Sequence, residues 1–597
     1  MARMSKNIKK IILRMAVLVP LMLGAVLFIK PMTAKAWSWY NPFSWPVWET
    51  VDSAITDISD YFVTPDEDLP LNGRLVARVM VEGENGSKDF YSHVPIAWNY
   101  AVARALEGKK VSVRLEDNWI AREERTRTQY PSEVEGGTGE DREWLILYKY
   151  DLGTRMRRKD IPFLNSTESD YVDAFWRGGI YIPENCNITL DLNGHLIWRK
   201  ADYQYISDGQ VMYVDEGATL TIIDSNPRTR WSWSGGYIYG GGIKGGSSRE
   251  GAGGIQIMDG ATVYIEGGNI WYNSSSSDGG GIRIEGEKAR LYIDGTYFLK
   301  NKAADAVIER NYGGAIACYD AKVEIRNATF YLNSAENRGG GMFVDDGELT
   351  MVNCTFDSNS VTIDYGGGLY LSSGQGCPRC LLEDNTFISN NAEKDGGAMY
   401  LNAKSRTDIF RTKCTKNGAV RAGGAIYINK SGSCLSDAYI ANNWTKGNGG
   451  GVYVDSLARF NLMGKIEITD NIKSGESNNL CLQDGIDSNA FINNGGLESG
   501  SKIGINTTKD DPGSKGVVVS NSITEFAMKE YFTPDKDSTD IKLEGTEVKT
   551  EFYQASMIIY DLTFLIISAS LAVVLLVLTV IAYKRKRKGV AGDGKMD

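Results

Sequence analysis

The chain has 597 residues, with 66 glycines, 14 prolines, 10% aromatic residues and two histidines, His93 and His195. Many aromatics beside few prolines exclude a disordered Pro/Gly/Ser tract, and two histidines far apart in sequence argue against a zinc enzyme or a triad built on a histidine base. Between positions 37 and 583 stand 52 basic against 73 acidic residues, a formal charge of −21. Such a surface is ill suited to nucleic acid, which needs its phosphates neutralised by Lys and Arg.

In chain order, Arg3, Lys6, Lys9, Lys10 and Arg14 precede an apolar run over 15–29, and Ala34-Lys35-Ala36 follows as a small-residue cleavage site. Residues 1–36 therefore read as a secretory signal peptide. Residues 37–72 are aromatic, then acidic. Residues 73–249 read as irregular first coils and a cap: "GGIYIPENCNITLDLNGHLI" (178–197) and "QVMYVDEGATLTIIDSNP" (210–227) alternate with period two, and "ALEGKKVSVRLEDNWIA" (105–121) is expected to include a short helix over the open end. Regular repeats fill 250–487. Residues 488–561 read as capping strands and a juxtamembrane linker. Residues 562–583 carry no charge and are long enough to cross a bilayer as one helix. Five consecutive basic residues, Lys584 to Lys588, open the tail 584–597. The positive-inside rule places that tail in the cytoplasm and everything before the helix outside.

Two motifs march together through the repeats. A glycine motif ends on Ile282, Ile316, Met342, Leu369, Met399, Ile426 and Val452, as in "NRGGGMFVDDG" (337–347), at spacings of 34, 26, 27, 30, 27 and 26 residues. A phosphate-binding loop occurs once, between a strand and a helix; seven copies at nearly one period mean a structural repeat. The second motif is an apolar or small residue, two others, then Asn: Ile270/Asn273, Phe298/Asn301, Phe330/Asn333, Phe356/Asn359, Phe387/Asn390, Cys414/Asn417, Tyr439/Asn442 and Ile468/Asn471. Between the motifs the pattern has period two and no helical spacing. These features predict an all-β fold, a parallel β-helix solenoid with a single C-terminal transmembrane helix. Coils would stack about 4.8 Å apart, bringing equivalent residues into ladders. Inward apolar residues would form the core, the Asn column an amide ladder, and the glycines the corners.

With both motifs placed, residues 250–480 resemble the pectin-lyase-like right-handed β-helix proteins, which implies a right-handed parallel β-helix here. They are especially similar to the GGxI/FxxN repeat region of the chlamydial polymorphic outer membrane proteins. "IPENCNITLDLNGHLI" and "YFTPDKDSTDIKL" are also similar to adhesin-like surface proteins of Gram-positive bacteria. The resemblance implies a secreted adhesin that presents a β-helix to a glycan or a partner cell-surface protein. That family's C-terminal barrel is replaced here by one membrane helix.

Parallel β-helices also include polysaccharide lyases and hydrolases, so an enzyme is the alternative reading and a structural stalk a third. Asp345 and Asp346 are the obvious carboxylate pair, but Glu285, Tyr319, Ser372, Asn402, Asn429 and Asp455 share the column of Asp345. The column is mixed polar, so no catalytic residue, metal site or cofactor is assigned. One residue beyond each glycine motif lies an aromatic series: Phe343, Tyr370, Tyr400, Tyr427 and Tyr453. If Met342 and Val344 point inward, alternation turns these five outward. They are expected as an exposed ladder on which sugars or a protein partner could stack. Cys186, Cys318, Cys354, Cys414, Cys434 and Cys481 read as small buried hydrophobes, whereas Cys377 and Cys380 are the candidates for a local disulfide.

Overall fold

The computed structural model describes residues 75–121 and 179–536, except short stretches at 92–93, 202–204, 206–208, 305–309, 374–379, 404–406, 430–431, 484–490, 494–495, 509–516 and 520–529. It also describes strands at 127–129, 144–146, 539–544 and 549–554. The expected signal peptide 1–36, the segment 37–72, the expected membrane helix 562–583, the basic tail and Cys377 lie outside the described residues. Among the described residues, no helix is long and apolar enough to cross a membrane.

In the regular region each coil carries four strands. In one coil these are Ile282–Glu285, Arg290–Asp294, Tyr297–Leu299 and Lys302–Ala303; in the next, Ile316–Tyr319, Lys322–Arg326, Thr329–Tyr331 and Ser334–Ala335. Each strand pairs in parallel with its equivalent one coil on, Ile282 with Ile316, Leu291 with Val323, Phe298 with Phe330 and Ala303 with Ala335. Four ladders result, here called the glycine, five-residue, FxxN and two-residue ladders. The five-residue ladder belongs to a 14-stranded sheet and the two-residue ladder to a 10-stranded one. The glycine and FxxN ladders merge at their C-terminal end, where Lys502–Thr507 pairs with both Glu467–Thr469 and Leu480–Leu482. The fold is a parallel β-helix.

Period-two patterning decides what faces in. Met342 and Val344, Leu349 and Met351, and Phe356 come from three strands of one coil and are all buried in a single core cluster. Phe298, Phe330, Phe356 and Phe387 stack along its axis, with ring centroids 4.7, 4.2 and 4.8 Å apart. Near-parallel rings at this spacing add to simple area burial.

The glycines answer two separate constraints. Gly339 has φ +63°, a left-handed turn that a side chain disfavours. Gly340 is needed for proximity: a Cβ there would meet the Ser360 carbonyl oxygen at 2.3 Å and that of Gly367 at 2.4 Å in the following coil. The "NRGGGMFVDDG" stretch is therefore a corner pressed against its neighbouring coil.

At the N-terminal end the helix Val94–Leu106 packs Val94, Ala97, Trp98, Ala101, Val102 and Ala105 into the core cluster. The spacing is that of one helical face, and Pro95 sits in the first turn, where its missing N–H costs nothing. The helix expected within 105–121 thus lies upstream. Val111–Leu115, with Val111, Val113 and Leu115 turned inward, is a strand instead. Ala77–Val81 pairs antiparallel with Lys88–Phe90 and Val111–Leu115, and parallel stacking begins where Val111–Leu115 meets Asn187–Asp191. A second correction concerns register: Cys414 pairs with Ile440, so Asn443 and not Asn442 holds the ladder position. Ile440 is buried at 1% and Tyr439 is 36% exposed, because a shift of one residue reverses every side chain in a strand.

Candidate functional site

The expected outer aromatic series forms in full register: Phe343 pairs with Tyr370, Tyr370 with Tyr400, Tyr400 with Tyr427 and Tyr427 with Tyr453. The rings stack at 5.4, 5.1, 4.9 and 5.0 Å. They belong to a cluster separate from the core, as the outward orientation requires.

The expectation that they are exposed is overturned. From Phe343 to Tyr453 the residues are only 1, 3, 6, 7 and 8% exposed. Their faces cover one another, and Tyr312, Arg338 and Tyr365, each the residue just before a glycine motif, fold over them. Tyr312 stacks on Phe343 at 4.6 Å and Tyr365 lies against Tyr400 at 4.7 Å. The Arg338 guanidinium sits between them, 5.0 Å from the Tyr312 ring and 5.2 Å from that of Tyr370, a cation–π arrangement strengthened by its partial burial. Strand alternation predicts direction from the axis; it carries no information about a covering column contributed by the loop.

The ring hydroxyls are also occupied. Tyr427 donates to Asp455 Oδ2 at 2.6 Å, Tyr453 donates to Gln483 Oε1 at 3.1 Å, and Tyr400 accepts from Asn429 Nδ2 at 3.1 Å. At the other end Tyr319 donates to Asp278 Oδ2 at 2.8 Å. Burial, as the largest cause, raises the phenol pKa of Tyr319, Tyr370, Tyr400, Tyr427 and Tyr453 above the ordinary tyrosine range; for Tyr427 the Asp455 carboxylate adds to it.

Solvent meets the polar cover over these rings. Asp395 is fully buried, yet Arg421 Nε donates to its Oδ1 at 2.8 Å and its Oδ2 at 3.0 Å, while the guanidinium remains half exposed. Burial raises the Asp395 pKa, and the Arg421 contacts oppose that rise. Lys394 donates to Asp364 at 2.5 Å, and its ammonium, like the Arg421 guanidinium, lies near the Tyr365 ring. These ion pairs are closed among themselves. Asp345 and Asp346 sit with Asp320, whose pKa is raised by burial and then by those two neighbours and Glu287. Among the described residues, no group of three or more His, Cys, Asp or Glu converges to hold a metal ion.

Cys318, Cys414, Cys434 and Cys481 lie in strands and Cys186 and Cys354 just before one, and all six are buried. Burial pushes the Cys186 and Cys354 thiols up to about 12, far from the reactive thiolate range. Cys380 opens the strand Cys380–Glu383 with its side chain 1% exposed. Its pairing with Cys377 rests on a residue outside the described ones.

Sequence reasoning missed a second stack, on the outer face of the five-residue ladder. Tyr264 and Tyr292 pair in register and stack at 4.9 Å and 11°, and both remain partly exposed. The signal was present in "TVYIE" and "RLYID", two equivalent strands with tyrosine at the central outward position.

These features define a right-handed β-helix: residues 247–410 and 305–456 match the family model of the right-handed β-helix region. Among curated proteins, the chain is similar to the probable outer membrane protein pmp20 of Chlamydia pneumoniae, 28% identical over 137 residues. The match covers 22% of this chain and 7% of that protein. No solved structure matches the chain.

Proposed function

We propose that the protein is displayed on the cell surface, anchored by the helix 562–583 with the tail 584–597 in the cytoplasm, and binds glycans or a partner cell through the sides of its β-helix. The observation that supports this reading most is the organisation of the outer faces. Each is a column of side chains repeated coil by coil. On the glycine face, Arg421 engages Asp395 and Lys394 engages Asp364, while Asp320, Asp345 and Asp346 sit together and, among the described residues, form no group that could hold a metal ion. The likeness to a protein named as an outer membrane protein agrees with surface display. The buried ladder Phe343, Tyr370, Tyr400, Tyr427 and Tyr453 supports such a face from beneath: it sets the pitch at which Arg338, Tyr365 and Arg421 are presented.

The test is binding of the full-length protein, in detergent micelles, to a glycan array and to whole cells, with the same polysaccharides assayed for shortening. Retention without chain cleavage supports an adhesin. Depolymerisation would establish the polysaccharide-active enzyme, and failure to bind any glycan or cell would leave the stalk as the function.

A further inference from the structure

We infer that the outer face of the five-residue ladder carries a carbohydrate subsite centred on Tyr264 and Tyr292, selective for pyranose units without a carboxylate. This deepens the surface-binding reading and rests on it. Two columns run side by side here. Thr221, Tyr264, Tyr292, Glu324 and Thr350 form one, and Ile223, Glu266, Asp294, Arg326 and Val352 the other. They are two residues apart along each strand, about 7 Å at the rise of a β-strand. Between them lies a depression of about 120 Å³, lined by Tyr264, Glu266, Tyr292, Asp294, Glu324 and Arg326 over a floor of Ile265 and Ile293.

Three features distinguish this stack from the one on the glycine face. Its tyrosines are partly exposed, where the rings of the glycine-face stack are buried. Its aromatic surface borders an open depression, whereas Tyr312, Arg338 and Tyr365 close over the other stack. Around its edge stand exposed groups suited to hydroxyls: the Glu266 and Asp294 carboxylates and the Arg326 guanidinium. Asn327 Nδ2 donates to Asp294 Oδ1 at 2.7 Å and holds that carboxylate at the rim.

The chemistry selects the ligand class. An apolar ring edge beside charged hydrogen-bonding groups suits a molecule with a C–H face and several hydroxyls, as a pyranose has. Lys322 already pairs with Glu324 at 3.2 Å and with Glu348 at 3.4 Å. The rim that remains is two carboxylates against one guanidinium, so a uronate would meet net repulsion, whereas a neutral or amino sugar would not.

The experiment is isothermal titration of the full-length protein with cellotetraose, the tetramer of N-acetylglucosamine, the tetramer of glucosamine and the tetramer of galacturonic acid, beside a printed glycan array. The inference expects saturable binding of a neutral or amino glycan, with the galacturonate tetramer bound at least tenfold more weakly. Tyr264→Ser combined with Tyr292→Ser should lower the affinity at least tenfold, with the circular dichroism spectrum unchanged. Arg326→Gln and Glu266→Gln, at exposed positions outside the core, give the same reading should the double variant not fold: each should weaken binding severalfold. Preference for the galacturonate, or equal affinity in all these variants, would overturn the subsite while leaving surface binding intact. No binding of any glycan by the wild type would overturn the subsite, and the surface-binding reading would fall with it only if whole cells were not bound either.

Discussion

At the scale of single residues, the Asn column shows how one side chain meets several backbone demands. Asn359 is fully buried. Its Nδ2 donates to the Phe330 carbonyl at 2.9 Å and to Asn390 Oδ1 at 2.9 Å, and its backbone N–H donates to that same oxygen at 3.0 Å. Its own Oδ1 accepts the equivalent pair from Asn333, both at 3.0 Å. The same pattern runs from Asn273 to Asn479, where Asp535 ends it by accepting from Asn479 Nδ2 at 2.6 Å. A chain of donors that ends on a carboxylate is satisfied at its last member, and each link polarises the next. From Asn273 to Asn471 the residue before the ladder Asn bears the left-handed turn, as with Ser358 at φ 56° and Ser389 at 58°, so the Asn is retained for its amide rather than for its backbone freedom. Asn359→Ala would orphan the Asn333 donors and the Phe330 carbonyl, at about 1–3 kcal/mol for each group. A urea titration should show the midpoint falling clearly. An unchanged midpoint would mean that the amide ladder contributes nothing net.

At the scale of elements, the stacked tyrosines make alkaline stability diagnostic. The folded-state pKa of Tyr319, Tyr370, Tyr400, Tyr427 and Tyr453 is raised chiefly by burial. The protonated phenol is therefore favoured by folding. Its contribution is fully present below the unfolded value of about 10 and is lost as the pH climbs above it. Absorbance at 295 nm during a base titration should show an early group of exposed tyrosines, then a late cooperative step that coincides with loss of the circular dichroism signal. Smooth titration of all tyrosines near pH 10 would show that the glycine-face stack is open to solvent. The buried ladder and the open Tyr264–Tyr292 pair have the same geometry, and only their cover differs. For that reason the aromatic series in the sequence identified a real ladder while misjudging which of its surfaces a ligand can touch.

At the scale of the whole molecule, a solenoid must close its ends, because an uncovered coil exposes both core and strand edges. The helix Val94–Leu106 does this at the N-terminal end. Its Trp98 is 1% exposed, lies tilted against Trp119 with ring centroids 5.9 Å apart and donates from Nε1 to the Tyr181 carbonyl at 3.3 Å. Trp98→Ala should cost about 3–5 kcal/mol through the cavity it leaves. Hydrogen exchange should quicken first in Val111–Leu115 and Asn187–Asp191, the strands nearest the cap, while the coils beyond Ile282 keep their protection. Uniform acceleration along the chain would instead mean that the solenoid unfolds as a single unit.

What the sequence determined alone was whatever repeats. A motif copied at each coil adds its signal, so the parallel ladders, the inward apolar columns, the glycine corners and most of the Asn column were legible in the sequence. Where a copy deviates, as at "AYIANNWT", two adjacent asparagines left the register undecided, and the pairing of Cys414 with Ile440 settled it. The cap helix was misplaced because it occurs once and its apolar face is read only against the strands it covers. The tertiary structure alone decided exposure. Whether an outward ring is buried depends on a residue one turn away, such as Arg338 over Tyr370, and on the coils on either side, and no local pattern in the sequence records that distance.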